Sequence, residues 1–321
     1  MAYSITMHTD SKRFETLINL VSQHYNMAPA FVEKDYWITH VLRKLSQSDS
    51  VENVVFKGGT SLSKGYRLID RFSEDIDLAM INENLSGNAL KTRIRRVEKG
   101  ITGDLAEISL PGISSKGSMF RKSLFEYSSV LSGKIDAFIP RRITVEINAF
   151  ANPYPFIKQD ITSFVSEFLV TTGRSDLVEQ YGLQPFSLNV LDKRRTLVEK
   201  LVSLIRFSFS EDSTKAIASK IRHFYDLYSL AKDKECAEYL QSDSFKSDFA
   251  ELLLHDQKAF DDPSGWQSVK VEDSPLVTKF DEFWRSLRTT YQQELTTLSF
   301  TPLPNEALVA ESFRQIIKQL I

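Results

Sequence analysis

One segment constrains the chain more than any other: Val54 to Leu78, VVFKGGTSLSKGYRLIDRFSEDIDL. Its β-branched start, Val54-Val55-Phe56, reads as a short buried strand. The strand runs into Gly58-Gly59, and a helix opens at Thr60-Ser61. Glycine lets a backbone approach a phosphate closely, and the free N–H groups of a helix N-terminus favour an anion. The hydroxyls of Thr60 and Ser61 add donors. The chain then returns as a second strand carrying Asp75-Ile76-Asp77. Residues two apart on a strand share a face, so Asp75 and Asp77 lie together while Glu74 points away. Two carboxylates so placed repel unless a cation sits between them. Mg²⁺, a hard ion with a preference for oxygen ligands and triphosphates, matches them.

A third carboxylate from a neighbouring strand would complete a site for two metal ions, which together clamp the attacking and leaving oxygens of an in-line displacement. Glu146 is the candidate. It lies on the polar face of the run Ile143 to Phe150, where Thr144, Glu146 and Asn148 alternate with Val145, Ile147 and Ala149. Asp136 is the alternative. Lys64, one turn into the helix after the glycines, either reaches a phosphate or is solvated.

Elsewhere the pattern is helical at both ends and mixed between. Ser11 to Tyr25 and Pro29 to Leu45 read as helices, the second with Pro29 in its first turn. Thr60 to Ile69 reads as a helix and Ser86 to Glu107 as largely helical, whereas Ser123 to Val130 and Phe186 to Val190 are strand-like. From Asp192, a plausible N-cap, the pattern stays helical: to Phe207, then Thr214 to Ala231, Glu235 to Leu254, Leu276 to Leu295 and Asn305 to Ile321. The composition shifts near residue 185, which predicts an α+β domain over 1–185 and a helical domain over 186–321.

The 321 residues carry a formal net charge of −2, which excludes a protein that coats nucleic acid through bulk charge but not one that binds it locally. Basic residues do cluster, at Lys91, Arg93, Arg95, Arg96 and Lys99, at Arg121-Lys122, at Arg141-Arg142 and at Lys193-Arg194-Arg195. Such runs also serve as plain solvated faces. The lone Cys236 forbids an intrachain disulfide and fits a reducing cytoplasm. The polar N-terminus lacks the apolar stretch of a secretory signal, and no apolar run reaches the roughly 20 residues that span a bilayer.

The order strand, Gly-Gly-Thr-Ser, helix, Asp-x-Asp resembles the signature of polymerase-β-like nucleotidyltransferases. The fuller string Arg71-Phe72-Ser73-Glu74-Asp75-Ile76-Asp77-Leu78 resembles a narrower group, the AbiEii/AbiGii toxins, which include the MenT toxins. Three further segments agree: Glu33-Lys34-Asp35-Tyr36-Trp37, Thr196-Leu197-Val198-Glu199-Lys200-Leu201, and Arg222-His223-Phe224-Tyr225-Asp226-Leu227-Tyr228. The likeness covers roughly residues 30 to 230 and leaves the C-terminal third unplaced.

The resemblance implies a polymerase-β-like domain with a small mixed sheet, followed by a helical domain, with the nucleotide in the cleft between them. It implies metal on Asp75 and Asp77 and triphosphate on Gly58, Gly59, Thr60 and Ser61. Lys200 would contact a nucleotide phosphate, and Asp226 would orient Lys200 or the base. It further implies transfer of a nucleoside monophosphate from an NTP to RNA, in particular to tRNA 3′ ends, by the toxin of a bacterial toxin–antitoxin or phage-defence pair with a cognate antitoxin. Two alternatives remain, nucleotidylation of a protein hydroxyl and a nucleotide-binding regulator without turnover. Without the resemblance, the face shared by Lys193, Thr196 or Leu197, and Lys200 reads as surface, and Arg222 with Asp226 as an intrahelical ion pair.

Overall fold

The computed structural model describes residues 6–81, 87–131 and 139–321. It divides into two compact units, one of residues 1–67 and 72–191, the other of 68–71 and 192–321.

The first unit is built on one eight-stranded mixed sheet. Its strands are β1 (Val54–Lys57), β2 (Asp75–Met80), β3 (Ala106–Ile108), β4 (Ser115–Lys116), β5 (Phe120–Glu126), β6 (Arg142–Asn148), β7 (Phe156–Ile161) and β8 (Phe186–Leu191). The order is β3-β5-β6-β2-β1-β8-β7, with β4 beside β5. β2 runs antiparallel to β1 but parallel to β6, and β1 runs parallel to β8. Val54, Val55 and Phe56 of β1 and Leu78, Ala79 and Met80 of β2 are buried, as the central strands of a covered sheet require.

Among the described residues, six α-helices complete this unit: α1 (Ser11–Tyr25), α2 (Pro29–Ser46), α3 (Gly58–Lys64), α4 (Gly87–Thr102), α5 (Phe164–Thr171) and α6 (Ser175–Gln180). Pro29 opens α2, as its fixed φ favours. The helix after the glycines ends at Lys64, not Ile69. Gly65 follows it, and Arg67 takes a left-handed φ of 55° that no α-helix continues through. The sheet runs on to Leu191, six residues past the shift in composition, because β8 pairs with both β1 and β7.

The second unit is helical: α7 (Lys193–Phe207), α8 (Ser213–Ala218), α9 (Arg222–Lys232), α10 (Lys234–Leu240), α11 (Asp243–Ala259), α12 (Pro275–Thr278), α13 (Phe280–Leu298) and α14 (Glu306–Leu320). Asp192 caps α7 by accepting from Arg194 N at 2.8 Å. Three of the long helical patterns in the sequence are each two helices. The break between α10 and α11 falls at Ser242, an N-cap residue type, and that between α8 and α9 falls at residues 219–221. Residues 68–71 join this unit through backbone pairing: Phe300 N donates to Asp70 O at 2.8 Å, and Arg71 bridges Ser299. Among the described residues, no helix is long and apolar enough to cross a membrane.

Candidate functional site

In the first unit, Lys57 enters α3 directly from β1, so the Gly58-Gly59 turn lies beside β2. Gly58 has a φ of +77°, which disfavours any residue with a side chain. A Cβ there would overlap Asp77 Oδ2 and lie 2.9 Å from Asp77 Cγ. The glycine is therefore required twice, by its backbone conformation and by the carboxylate packed against it. Gly58 and Gly59 remain partly exposed, as do Asp75 and Asp77.

The register then assembles the acidic face. Asp77 of β2 is in register with Glu146 of β6, and Asp75 with Thr144. Burial, reinforced by Glu74 and then Glu146, raises the Asp75 carboxyl above its ordinary range, against an opposing hydrogen bond from Thr144. Clustered negative charge of this kind is relieved by a bound cation. Two oxygen-donor carboxylates on one strand face fit a hard divalent ion. Glu146 is the neighbour the strand pattern predicts, yet its Oε1 lies 2.6 Å from Lys122 Nζ of β5. Among the described residues no three Asp, Glu, His or Cys side chains converge as metal ligands. Asp136 lies outside the described residues.

The hydroxyls and the lysine expected at a phosphate are used differently. Thr60, 1% exposed, donates to the Asp75 carbonyl at 2.5 Å and lies 3.0 Å from Ser73 Oγ. Ser61, fully buried, donates to Gly58 O at 2.8 Å. Thr60 ties the turn to β2 and Ser61 closes the turn on itself, which leaves the backbone of Gly58 and Gly59 as the accessible part of the motif. Lys64 is not solvated. Its side chain is 7% exposed, pairs with Asp35 at 2.5 Å and donates to Thr162 O at 3.0 Å.

That pair belongs to a device the sequence reading left without a role. Glu33, Lys34 and Asp35 are three successive charged residues of α2, all buried. Glu33 accepts from Ser129 Oγ at 2.6 Å and Val130 N at 2.7 Å. Lys34 pairs with Glu74 at 2.5 Å, and Asp35 also accepts from Phe164 N at 2.9 Å. One helical turn thus anchors the segment before β2, the end of α3 and the start of α5. Lys64→Met is expected to lower unfolding free energy by about 3 kcal/mol, by leaving Asp35 as an unpaired buried charge. The same variant should keep its apparent affinity for nucleoside triphosphate, which equilibrium denaturation and nucleotide titration would measure side by side. A large loss of nucleotide affinity at unchanged stability would return Lys64 to the phosphate.

In the second unit, Asp226 of α9 is fully buried between two cations. Arg71 grips it with two bonds, Nε to Oδ1 and Nη2 to Oδ2, each 2.7 Å. Lys200 Nζ of α7 lies 2.7 Å from Oδ2. Burial alone would raise the Asp226 carboxyl; the charges of Arg71 and Lys200 outweigh it and hold the group well below the usual carboxylate range. Arg222 pairs instead with Glu294, at 3.8 Å, so the intrahelical pair with Asp226 does not form. Lys193, one face with Lys200 in sequence, is tied to Asp233 at 2.7 Å. His223 is half-buried beside this cluster. Desolvation and the Lys200 charge hold its imidazole well below its ordinary pKa, and its Nδ1 has no hydrogen-bond partner. Arg71, absent from the expected site residues, had one signal: its place four residues before Asp75 in the motif string.

The sequence profile of the family described as "Nucleotidyl transferase AbiEii toxin, Type IV TA system" matches residues 40–319. It therefore takes in the C-terminal third, which the motif resemblance left unplaced. No curated protein sequence matches the chain significantly. Among solved structures, MenT4, a nucleotidyltransferase toxin from Mycobacterium tuberculosis H37Rv, has a similar fold: TM-score 0.53, 18% sequence identity, covering 94% of this chain and 97% of that one. The expected α+β class, with a mixed sheet followed by helices, agrees with that likeness.

Proposed function

The chain belongs to the AbiEii family of nucleotidyltransferase toxins of type IV toxin–antitoxin systems, and from that premise we propose that it transfers a nucleoside monophosphate from an NTP to RNA, at the 3′ end of tRNA. The observation that carries the reading is the packing of Gly58 directly on the Asp77 carboxylate. A turn that accepts no side chain, beside a carboxylate pair on one strand face, is an arrangement suited to a triphosphate and its counter-ion.

In this reading Asp75 and Asp77 hold Mg²⁺, and the backbone of Gly58 and Gly59 receives phosphate oxygens. Bound there, the ion neutralises triphosphate charge and lowers the pKa of the attacking hydroxyl. The chain's own contribution is position. The anchored α2 and the buried Thr60 hydroxyl fix the turn against β2, and the Ser61 hydroxyl closes the turn itself, so that the reacting groups are held before the chemistry begins. The acceptor oxygen bonds to the α-phosphorus as the bond to the β-phosphate oxygen breaks, releasing pyrophosphate. Lys200 and Asp226 enter through the motif resemblance, Lys200 toward a phosphate and Asp226 as its anchor.

RNA as acceptor draws on the charge of α4. Lys91, Arg95, Arg96 and Lys99 are exposed on it. Lys91, Arg95 and Lys99 follow one another at intervals of four, about 6 Å along the helix axis. In a chain of net charge −2 such a stripe is a local exception. A role as a bacterial toxin, with an antitoxin partner and an action in phage defence, completes the proposal.

The test is incubation of the purified protein with total tRNA, Mg²⁺ and each α-labelled NTP in turn, with Asp77→Ala as control. Label is expected in the tRNA band for one NTP and absent with the variant. Label on protein instead would replace RNA by a protein hydroxyl. NTP binding without label anywhere would favour a regulator without turnover. Binding of tRNA should weaken steeply as salt rises, since phosphate contacts release counter-ions.

A further inference from the structure

Four charged residues stand in one row across the first unit's sheet. Lys57 is in register with Asp77, Asp77 with Glu146, and Glu146 with Lys122. Residues in register on neighbouring strands share a face and lie about 5 Å apart. The row reads cation, carboxylate, carboxylate, cation.

Its outer half is closed. Lys122 Nζ lies 2.6 Å from Glu146 Oε1, with both side chains partly buried. The strand period places Lys122 there: its neighbour Arg121 turns to the opposite face and pairs with Glu98 of α4. The charge that a second divalent ion would neutralise at Glu146 is therefore met by an ammonium fixed to β5. An ion of charge +2 entering between Glu146 and Asp77 would have to displace that ammonium and then sit beside it. No triad of ligating side chains exists among the described residues to compensate.

We propose that Lys122 is a built-in substitute for a second metal ion: it holds Glu146, so the site takes one divalent cation, on Asp75 and Asp77, rather than two. The inference rests on the reading of Asp75 and Asp77 as metal ligands. It makes Lys122 a positioning residue, and it makes Glu146 a partner of Lys122 instead of a ligand.

Titration of the full-length protein with Mn²⁺, followed by electron paramagnetic resonance, decides it without reference to turnover. Wild type is expected to bind one Mn²⁺ per chain, with no magnetic coupling between ions. Glu146→Gln should leave that stoichiometry at one. Lys122→Met should admit a second ion, seen as a coupled pair, and Lys122→Arg should not. A coupled pair in wild type, loss of an ion in Glu146→Gln, or a single ion in a folded Lys122→Met would each overturn the inference. Should Lys122→Met fail to fold in a thermal melt, wild type and Glu146→Gln still give the answer. Absence of any bound Mn²⁺ in wild type would remove the Asp75–Asp77 reading itself, and this inference with it.

Discussion

Asp77→Asn is expected to slow nucleotide transfer by about a thousandfold or more, since a metal ion supplies several kcal/mol of transition-state charge stabilisation and each 1.36 kcal/mol is about tenfold in rate. The substitution keeps the shape that fills the space against Gly58 and removes only the charge. Asp77 is also only partly buried, on a strand whose Leu78, Ala79 and Met80 carry the core contacts. The melting temperature should therefore stay near that of wild type. Single-turnover transfer measured beside a thermal melt checks both halves. Activity close to wild type would take the metal away from this strand. A collapse in stability would mean that the carboxylate serves the fold and leave the rate uninterpretable.

The opposite division is expected at Asp226. Asp226→Ala leaves Arg71 and Lys200, 3% and 6% exposed, buried near one another without their shared anion. Breaking a buried pair costs about 3–5 kcal/mol, and the loss of one carboxylate that serves two cations should reach the upper end, about 5 kcal/mol. Lys200→Met should cost less, because Arg71 still pairs Asp226 through both oxygens. Urea denaturation of the three proteins measures the order. Wild-type stability in Asp226→Ala would show that the cluster does not hold the second unit together. The pH dependence has a definite sign. The Asp226 carboxyl is depressed in the fold, so its contribution is fully present above the unfolded value of about 3.9 and is lost only as pH falls through the lower folded value. Between about pH 5 and 8 the Asp226 carboxylate itself should therefore add no slope to stability, whereas the neighbouring His223, held low in the fold, should lower stability as pH falls below its unfolded value of about 6.5.

Both carboxylates were site candidates in the amino-acid string, Asp77 from its strand and Asp226 from the motif resemblance, and they differ in surroundings. Asp77 sits at a turn that glycine keeps open. Asp226 sits where no solvent reaches. The same contrast separates Lys64 from its expected role. One turn after a Gly-Gly turn, a lysine reads as a candidate for a phosphate, and the fold pairs it with Asp35, 29 positions earlier in the sequence.

The sequence by itself determined what depends on local period and local backbone chemistry. Asp75 and Asp77 share a strand face because side chains alternate at every second residue. Gly-Gly marks a turn because only glycine accepts the φ it needs there. Val145 and Ile147 mark the buried side of β6, which turns Glu146 to the other, and Asp192 starts α7 because its side chain satisfies an N-terminal N–H. The motif string carried the family with it. Tertiary structure alone decided what depends on which strands are neighbours and which charges meet. The register of β5, β6, β2 and β1 set Lys122 against Glu146 and Glu146 beside Asp77. Pairing of residues 68–71 with the helical unit brought Arg71 to Asp226, 155 residues away in the chain. A single sequence does not encode such partners in its periodicity. A charged side chain presents the same pattern whether it ends in water, on a phosphate or against an opposite charge, and the difference lies in the solvent it loses when the chain closes around it.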